Sequence, residues 1–99
     1  MWSKDMIKHR IATIEDVAFL AVMNQQLAED EQHKSQFQTL EWFHNRMHDF
    51  LVGEYSAVIF EKDNKAIAYA LYKNHSEQED SIYLRQIFVD RSYRNKGVA

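Results

Sequence analysis

Residues 81–89 (SIYLRQIFV) form a run of β-branched and aromatic side chains that leads directly into Asp90 and then into closely spaced Arg91, Arg94, Lys96 and Gly97. A strand of that composition, followed by a polar turn with cations beside a glycine, brings backbone N–H groups and positive charge to one place. That is how a chain receives a phosphate. The end of the sequence is therefore expected to hold a phosphorylated cofactor against a sheet.

The preceding residues supply the rest of a layered fold. Residues 6–11 read as a short extended segment. Thr13 and Asp16 then form a helix start, with Thr13 as cap and Asp16 in the position of a capping acid. The helix is expected to run to about Ala28, with Val17, Leu20, Ala21, Leu27 and Ala28 on one face and Phe19, Val22 and Met23 widening it sideways. After a polar stretch, residues 39–52 predict a second helix whose Leu40, Phe43, Met47, Phe50 and Leu51 share a face. Gly53 is expected to end it in the left-handed conformation. Residues 55–61, 65–73 and 81–89 predict three strands, the first two joined by Lys62, Asp63 and Asn64, which suit a tight turn. Short polar connections favour an antiparallel meander. The chain contains no proline, so its turns fall to Gly, Asn, Asp and Ser.

Composition narrows the function classes. Ninety-nine residues make one small domain, and 45% hydrophobic with 27% charged residues describes a globular chain. A net charge of −3 without a basic stripe argues against nucleic acid as a partner. With no cysteine, neither a disulfide framework nor a cysteine zinc site can form. The N-terminal residues lack the apolar run of a signal peptide, and no stretch is apolar enough to span a bilayer, so a cytoplasmic protein without a membrane partner is expected.

Arg94, Asn95, Lys96, Gly97, Val98 and Ala99 match the pattern Gln or Arg, two residues, Gly, one residue, Gly or Ala, and the apolar strand ending at Val89 and Asp90 matches its setting. This resembles motif A of the GNAT-type N-acetyltransferase superfamily. The order strand, helix, helix, three strands, phosphate loop is similar to the first part of that fold, so the resemblance covers nearly all of the chain. It implies an α/β GNAT-like architecture, a mostly antiparallel sheet flanked by helices, truncated after the fourth strand. Residues 1–99 would be a single, incomplete domain. The implied activity is acetyl transfer from acetyl-CoA to a primary amine by direct attack, with a small molecule or a peptide as acceptor. The implied cofactor contacts are Ile87, Phe88 and Val89 beside the pantetheine arm, through their backbone, and Arg94, Asn95, Lys96, Gly97, Val98 and Ala99 around the pyrophosphate. The family's pyrophosphate-binding helix would begin at Ala99. The isolated chain is therefore expected to be inactive and to cover its open strand edge by self-association, with a homodimer as one outcome. The alternative is a non-catalytic binding or oligomerisation module.

Candidate acceptor-site residues follow from the same comparison. Some family members carry a glutamate base on the fourth strand, and that position is Tyr83 here. A phenol with an ordinary pKa near 10 is a poor base at neutral pH. Tyr83 is thus expected to line the pocket, to order a water, or simply to pack, and no residue is assigned as catalytic base or acid. Arg85 shares its face unless the strand is bulged there, and could hold a substrate carboxylate or simply a neighbouring acid. Glu29, Asp30 and Glu31 lie near a helix C-terminus, where negative charge is unfavourable, so an acidic rim for a cationic amine is one reading of them and a solvated loop the other. Trp42 lies off the apolar face and could line the same cleft, be exposed, or contact a second copy. His44 and His48 are one helical turn apart, yet without the His-Glu-x-x-His pattern they do not predict a metal site.

Overall fold

The computed structural model describes residues 7–74 and 82–94. Strand β1 spans Lys8–Ile11, and a single 3-10 turn at Ile14–Asp16 leads into helix α1, Val17–Asp30. A second 3-10 turn, Lys34–Phe37, precedes helix α2, Leu40–Val52. Strands β2 (Ser56–Lys62), β3 (Lys65–Asn74) and β4 (Ile82–Val89) follow, and a last 3-10 turn, Arg91–Tyr93, begins the loop after β4. The strands lie in the order β1-β2-β3-β4, each antiparallel to its neighbour, so the expected meander is present.

Local chemistry accounts for the boundaries. Asp63 and Asn64 both have positive φ, 54° and 64°, as a two-residue hairpin turn between β2 and β3 requires. At the start of α1, the Asp16 carboxylate accepts the Thr13 backbone N–H at 2.8 Å and both guanidinium nitrogens of Arg10 at 2.8 Å. One acid thereby closes the capping box of the 3-10 turn that leads into α1 and fixes that turn to β1. The Thr39 hydroxyl caps α2 by accepting the Trp42 N–H at 3.1 Å. Helix α1 ends two residues later than expected. Its exit is a Schellman motif in which Gln32 takes φ 53° and the N–H groups of Gln32 and His33 bond to the carbonyls of Glu29 and Ala28. Asp30 is the last helical residue as a result.

Gly53 corrects an expectation. It ends α2 at φ −93°, ψ −134°, outside the left-handed region, because the chain passes almost directly from α2 into β2. Glycine relieves crowding there, since a Cβ would sit 3.1 Å from the Asp49 carbonyl oxygen.

Both helices pack on one face of the sheet. Val17, Leu20, Met23 and Leu27 of α1 and Met47 of α2 meet Ala57, Ile59, Tyr69, Leu71 and Phe88 in one core. The two helices join through Ala21, Ala28 and Phe43. Small residues on α1 let α2 approach closely, while Phe19 and Val22 lie away from that seam, beside a cavity that Glu61, Asn64 and Lys65 also line. Phe19 and Val22, expected to widen the buried face, are 58% and 52% exposed, and Leu40 is also exposed. Met23 is buried as expected.

Two register shifts interrupt the sheet, between Phe60 and Glu61 on β2 and between Leu71 and Tyr72 on β3. At the second, Leu71 faces Gln86 while Tyr72 faces Leu84, so Arg85 is the extra, bulged residue of β4.

Candidate active site

Strand β4 pairs with β3 along one side and has no partner strand on the other among the described residues. Its outer edge therefore offers backbone N–H and C=O groups of alternate residues. Phe88 (1% exposed) and Val89 anchor the end of the strand in the core, while the Ile87 side chain is exposed on the face opposite the helices. The three residues expected to lie along a pantetheine arm are thus held in register by side chains packed elsewhere. Ile82 and Leu84 are exposed as well.

The loop after β4 begins with two bonds that fix its path. The Asp90 N–H donates to the Ile67 carbonyl at 2.7 Å, and the Asp90 carboxylate accepts the Ser92 N–H at 2.9 Å. The following turn is tied back to the end of α1. Arg91 Nε donates to Asp30 Oδ1 at 2.9 Å, and Arg94 donates to Asp30 Oδ2 through one terminal nitrogen. Arg94 Nε also donates to the Val89 carbonyl at 2.8 Å. Burial alone would raise the Asp30 carboxyl, but the hydrogen bonds from Arg94 and Arg91 outweigh it and hold the group below the usual carboxylate range. Of the acidic run, Asp30 is therefore a structural clasp, while Glu29 is exposed. Asn95, Lys96, Gly97, Val98 and Ala99 lie outside the described residues.

A groove of about 600 Å³ opens between α2 and the sheet, lined by Trp42, Arg46, Phe50, Tyr55 and Lys73 with Asn45, Asp49, Gly53 and Glu54. Trp42 packs edge-on to the buried Phe43 with ring centres 4.9 Å apart, which leaves the rest of its indole facing the groove. Arg85 reaches the same wall. It donates to Tyr55 Oη at 3.3 Å and its guanidinium lies 5.1 Å from the Phe50 ring centre. Tyr83 is opposite Lys73 on β3, and the Lys73 ammonium stands 5.9 Å from the Tyr83 ring and 5.4 Å from that of Tyr55. Trp42, Tyr83 and Arg85 thus gather around one groove: Tyr83 and Arg85 share a face as alternate strand residues do, and the bulge brings Gln86 to that face as well. Glu29 lines neither this groove nor the smaller cavity beside it.

That smaller cavity, about 50 Å³, lies where α1, α2 and β4 meet, among Asn24, Glu31, His33, Arg46 and Gln86. Behind it Asn24 Nδ2 donates to Tyr69 Oη at 3.1 Å and to Gln86 Oε1 at 3.2 Å, and Tyr69 Oη donates to Gln86 Oε1 at 2.9 Å. Burial pushes the Tyr69 phenol well above its ordinary pKa, so it remains a neutral donor. Asn24 Oδ1 has no partner among the described residues. Arg46 stands between the two cavities, its pKa lowered by burial first and by the like charge of Arg85 second. Sequence reasoning missed Asn24, Gln86 and Arg46. A mid-helix Asn on a buried stripe was the available signal, because such a group needs a partner. Among the described residues no group of three acids or histidines could hold a metal ion.

Comparison with known proteins adds the following. A family model described as acetyltransferase (GNAT) family matches residues 11–99. No match is found among curated protein sequences. Solved structures similar in fold include a possible acetyltransferase from Clostridium difficile 630, with TM-score 0.77 and 19% identity over 95% of this chain and 64% of that one. A predicted acetyltransferase with acetyl-CoA from Clostridium acetobutylicum gives TM-score 0.71 and 17% identity over 94% of this chain and 66% of that one. An aminoglycoside N-acetyltransferase in complex with CoA gives TM-score 0.71 and 20% identity over 95% and 62%. In each case the chain spans just under two thirds of the solved protein.

Proposed function

Because the chain belongs to the acetyltransferase (GNAT) family, we propose that it is the part of an acetyl-CoA-dependent N-acetyltransferase that positions the cofactor and one wall of the acceptor cleft. The observation that carries this reading is the open edge of β4, which ends in a turn clasped to α1 and adjoins, at its bulge, an aromatic groove.

In the proposed reaction the backbone of Ile87, Phe88 and Val89 pairs with the pantetheine arm as an added strand would. The loop from Arg94 to Ala99 receives the pyrophosphate. The guanidinium of Arg94 is engaged by Asp30 and the Val89 carbonyl, so its role is to hold the loop's path, and Lys96 with the backbone around Gly97 meets the phosphates. The acceptor amine, uncharged, attacks the thioester carbonyl carbon. Its lone pair forms the C–N bond, the carbonyl π pair moves to oxygen and returns, and the C–S bond breaks. The nitrogen loses a proton and the departing thiolate of CoA gains one. Tyr83 lines the acceptor side. The proposed acceptor is a small-molecule or peptide amine, and the proposed setting is the cytoplasm.

Calorimetric titration of the full-length protein with acetyl-CoA, joined to an acetyl-transfer assay on an amine panel, tests this reading. Binding without turnover on any amine would favour a non-catalytic binding module. Absence of binding would remove the reading altogether.

A further inference from the structure

Two arginines from different elements converge on one aromatic wall. The Arg46 guanidinium, from α2, lies 5.5 Å from the Trp42 ring centre and 5.4 Å from that of Phe50. The Arg85 guanidinium, from the bulge of β4, lies 5.1 Å from the same Phe50 ring and 5.7 Å from Tyr55. Arg10, Arg91 and Arg94 each have an aspartate partner, Asp16 for the first and Asp30 for the other two. Among the described residues neither Arg46 nor Arg85 has a carboxylate at ion-pair distance. The aromatic faces attract each guanidinium, but the two like charges repel and Arg46 is partly withdrawn from water, costs that an anion between them would relieve. The bulge at Arg85 interrupts the ladder, and bulges recur where a side chain must be re-aimed at a site.

The groove distinguishes between anions. Its acids, Asp49 and Glu54, stand on the exposed rim, near His48 at 3.5 Å and Lys73 at 4.0 Å respectively. They would oppose a doubly charged phosphate more strongly than a singly charged carboxylate. A planar carboxylate also matches the guanidinium fork, and its organic portion can lie against Trp42 and Phe50. The volume of about 600 Å³ suits a molecule the size of an amino acid or short peptide.

We propose that Arg46 and Arg85 together bind a carboxylate of the acceptor, so that the amine acetylated belongs to an amino acid or to a peptide with a nearby free carboxylate. This rests on the acetyl-transfer reading above, and the test separates the two. The full-length protein is assayed by kcat/KM on amino acids, each paired with its carboxamide, and on phosphoethanolamine, while acetyl-CoA binding is followed by calorimetry. The expected result is at least about a tenfold preference for acid over amide. Arg46→Gln and Arg85→Gln should each bring that preference close to unity, with acetyl-CoA affinity unchanged within about twofold. Equal rates on acids and amides, preference for phosphoethanolamine, a preference that survives both substitutions, or no turnover on any acid would overturn the proposal while leaving cofactor binding intact. Loss of acetyl-CoA binding in the unsubstituted protein would overturn the acetyl-transfer reading and this proposal with it.

Discussion

Arg94, on the turn that follows β4, donates to Asp30, the last residue of α1, across 64 positions of sequence. Arg91 shares the same carboxylate. The end of a helix and the start of the proposed cofactor loop are therefore one mechanical unit, and the length of α1, set by the left-handed Gln32, decides where the loop is held.

Asp30→Asn should weaken acetyl-CoA binding by the full-length protein by about three- to tenfold, since charge-assisted bonds to two arginines are replaced by weaker neutral ones. Neutralising Glu29 and Glu31 together should leave that affinity nearly unchanged. Calorimetry on the two variants checks the contrast, and equal losses would show that the run acts through its charge alone.

Asp16 should make stability sensitive to acid. The hydrogen bonds from Arg10, against a smaller effect of burial, and the bond from the Thr13 N–H hold its carboxyl below the ordinary range. The native state thus takes up this proton at lower pH than the unfolded chain does. The stabilisation is complete above the unfolded value, near 4, and is lost as pH falls through the lowered native value. Asp16→Asn should cost about 1 kcal/mol at neutral pH, with the gap to the wild type closing under acid. Urea titrations at several pH values would measure the gap, and a constant gap would contradict this account.

Much of this fold was legible in the chain. Runs of β-branched and aromatic residues mark the strands, Asp63 and Asn64 supply the hairpin turn, and Thr13, Asp16 and Thr39 mark helix starts. What stayed hidden depends on partners distant in sequence. A bulge at Arg85 exists only relative to β3, so no reading of β4 alone decides it. Asp30 looked like one of three solvated acids because Arg91 and Arg94 lie more than sixty residues away. Gln32 in the left-handed region and Gly53 outside it reverse the usual expectation for glycine. In the first case two capping bonds hold the strained residue, and in the second a Cβ would crowd the Asp49 carbonyl oxygen at 3.1 Å.

Tyr69→Phe should reduce stability by about 1 kcal/mol, because Gln86 Oε1 loses its Tyr69 donor and Asn24 Nδ2 loses an acceptor inside the core. Chemical denaturation would read this directly. A neutral substitution would mean that water already serves these groups.

The isolated 99-residue chain should sediment above its monomer mass. Among the described residues strand β4 has an open edge, and Ile82, Leu84 and Ile87 are exposed on it. Leu84→Lys should shift the population toward monomer. A wild-type chain that stays monomeric at high concentration would show the edge to be protected.

The central claim is that β4 and the loop after it bind acetyl-CoA, and one titration addresses it most directly. Acetyl-CoA is titrated calorimetrically into the full-length protein and into its Gly97→Val variant. The account predicts saturable binding at micromolar affinity, typical of enzyme substrates, and a loss of at least about tenfold in the variant, because a branched side chain would keep the backbone from approaching phosphate. No binding by the wild type, or the same affinity in both, would contradict it.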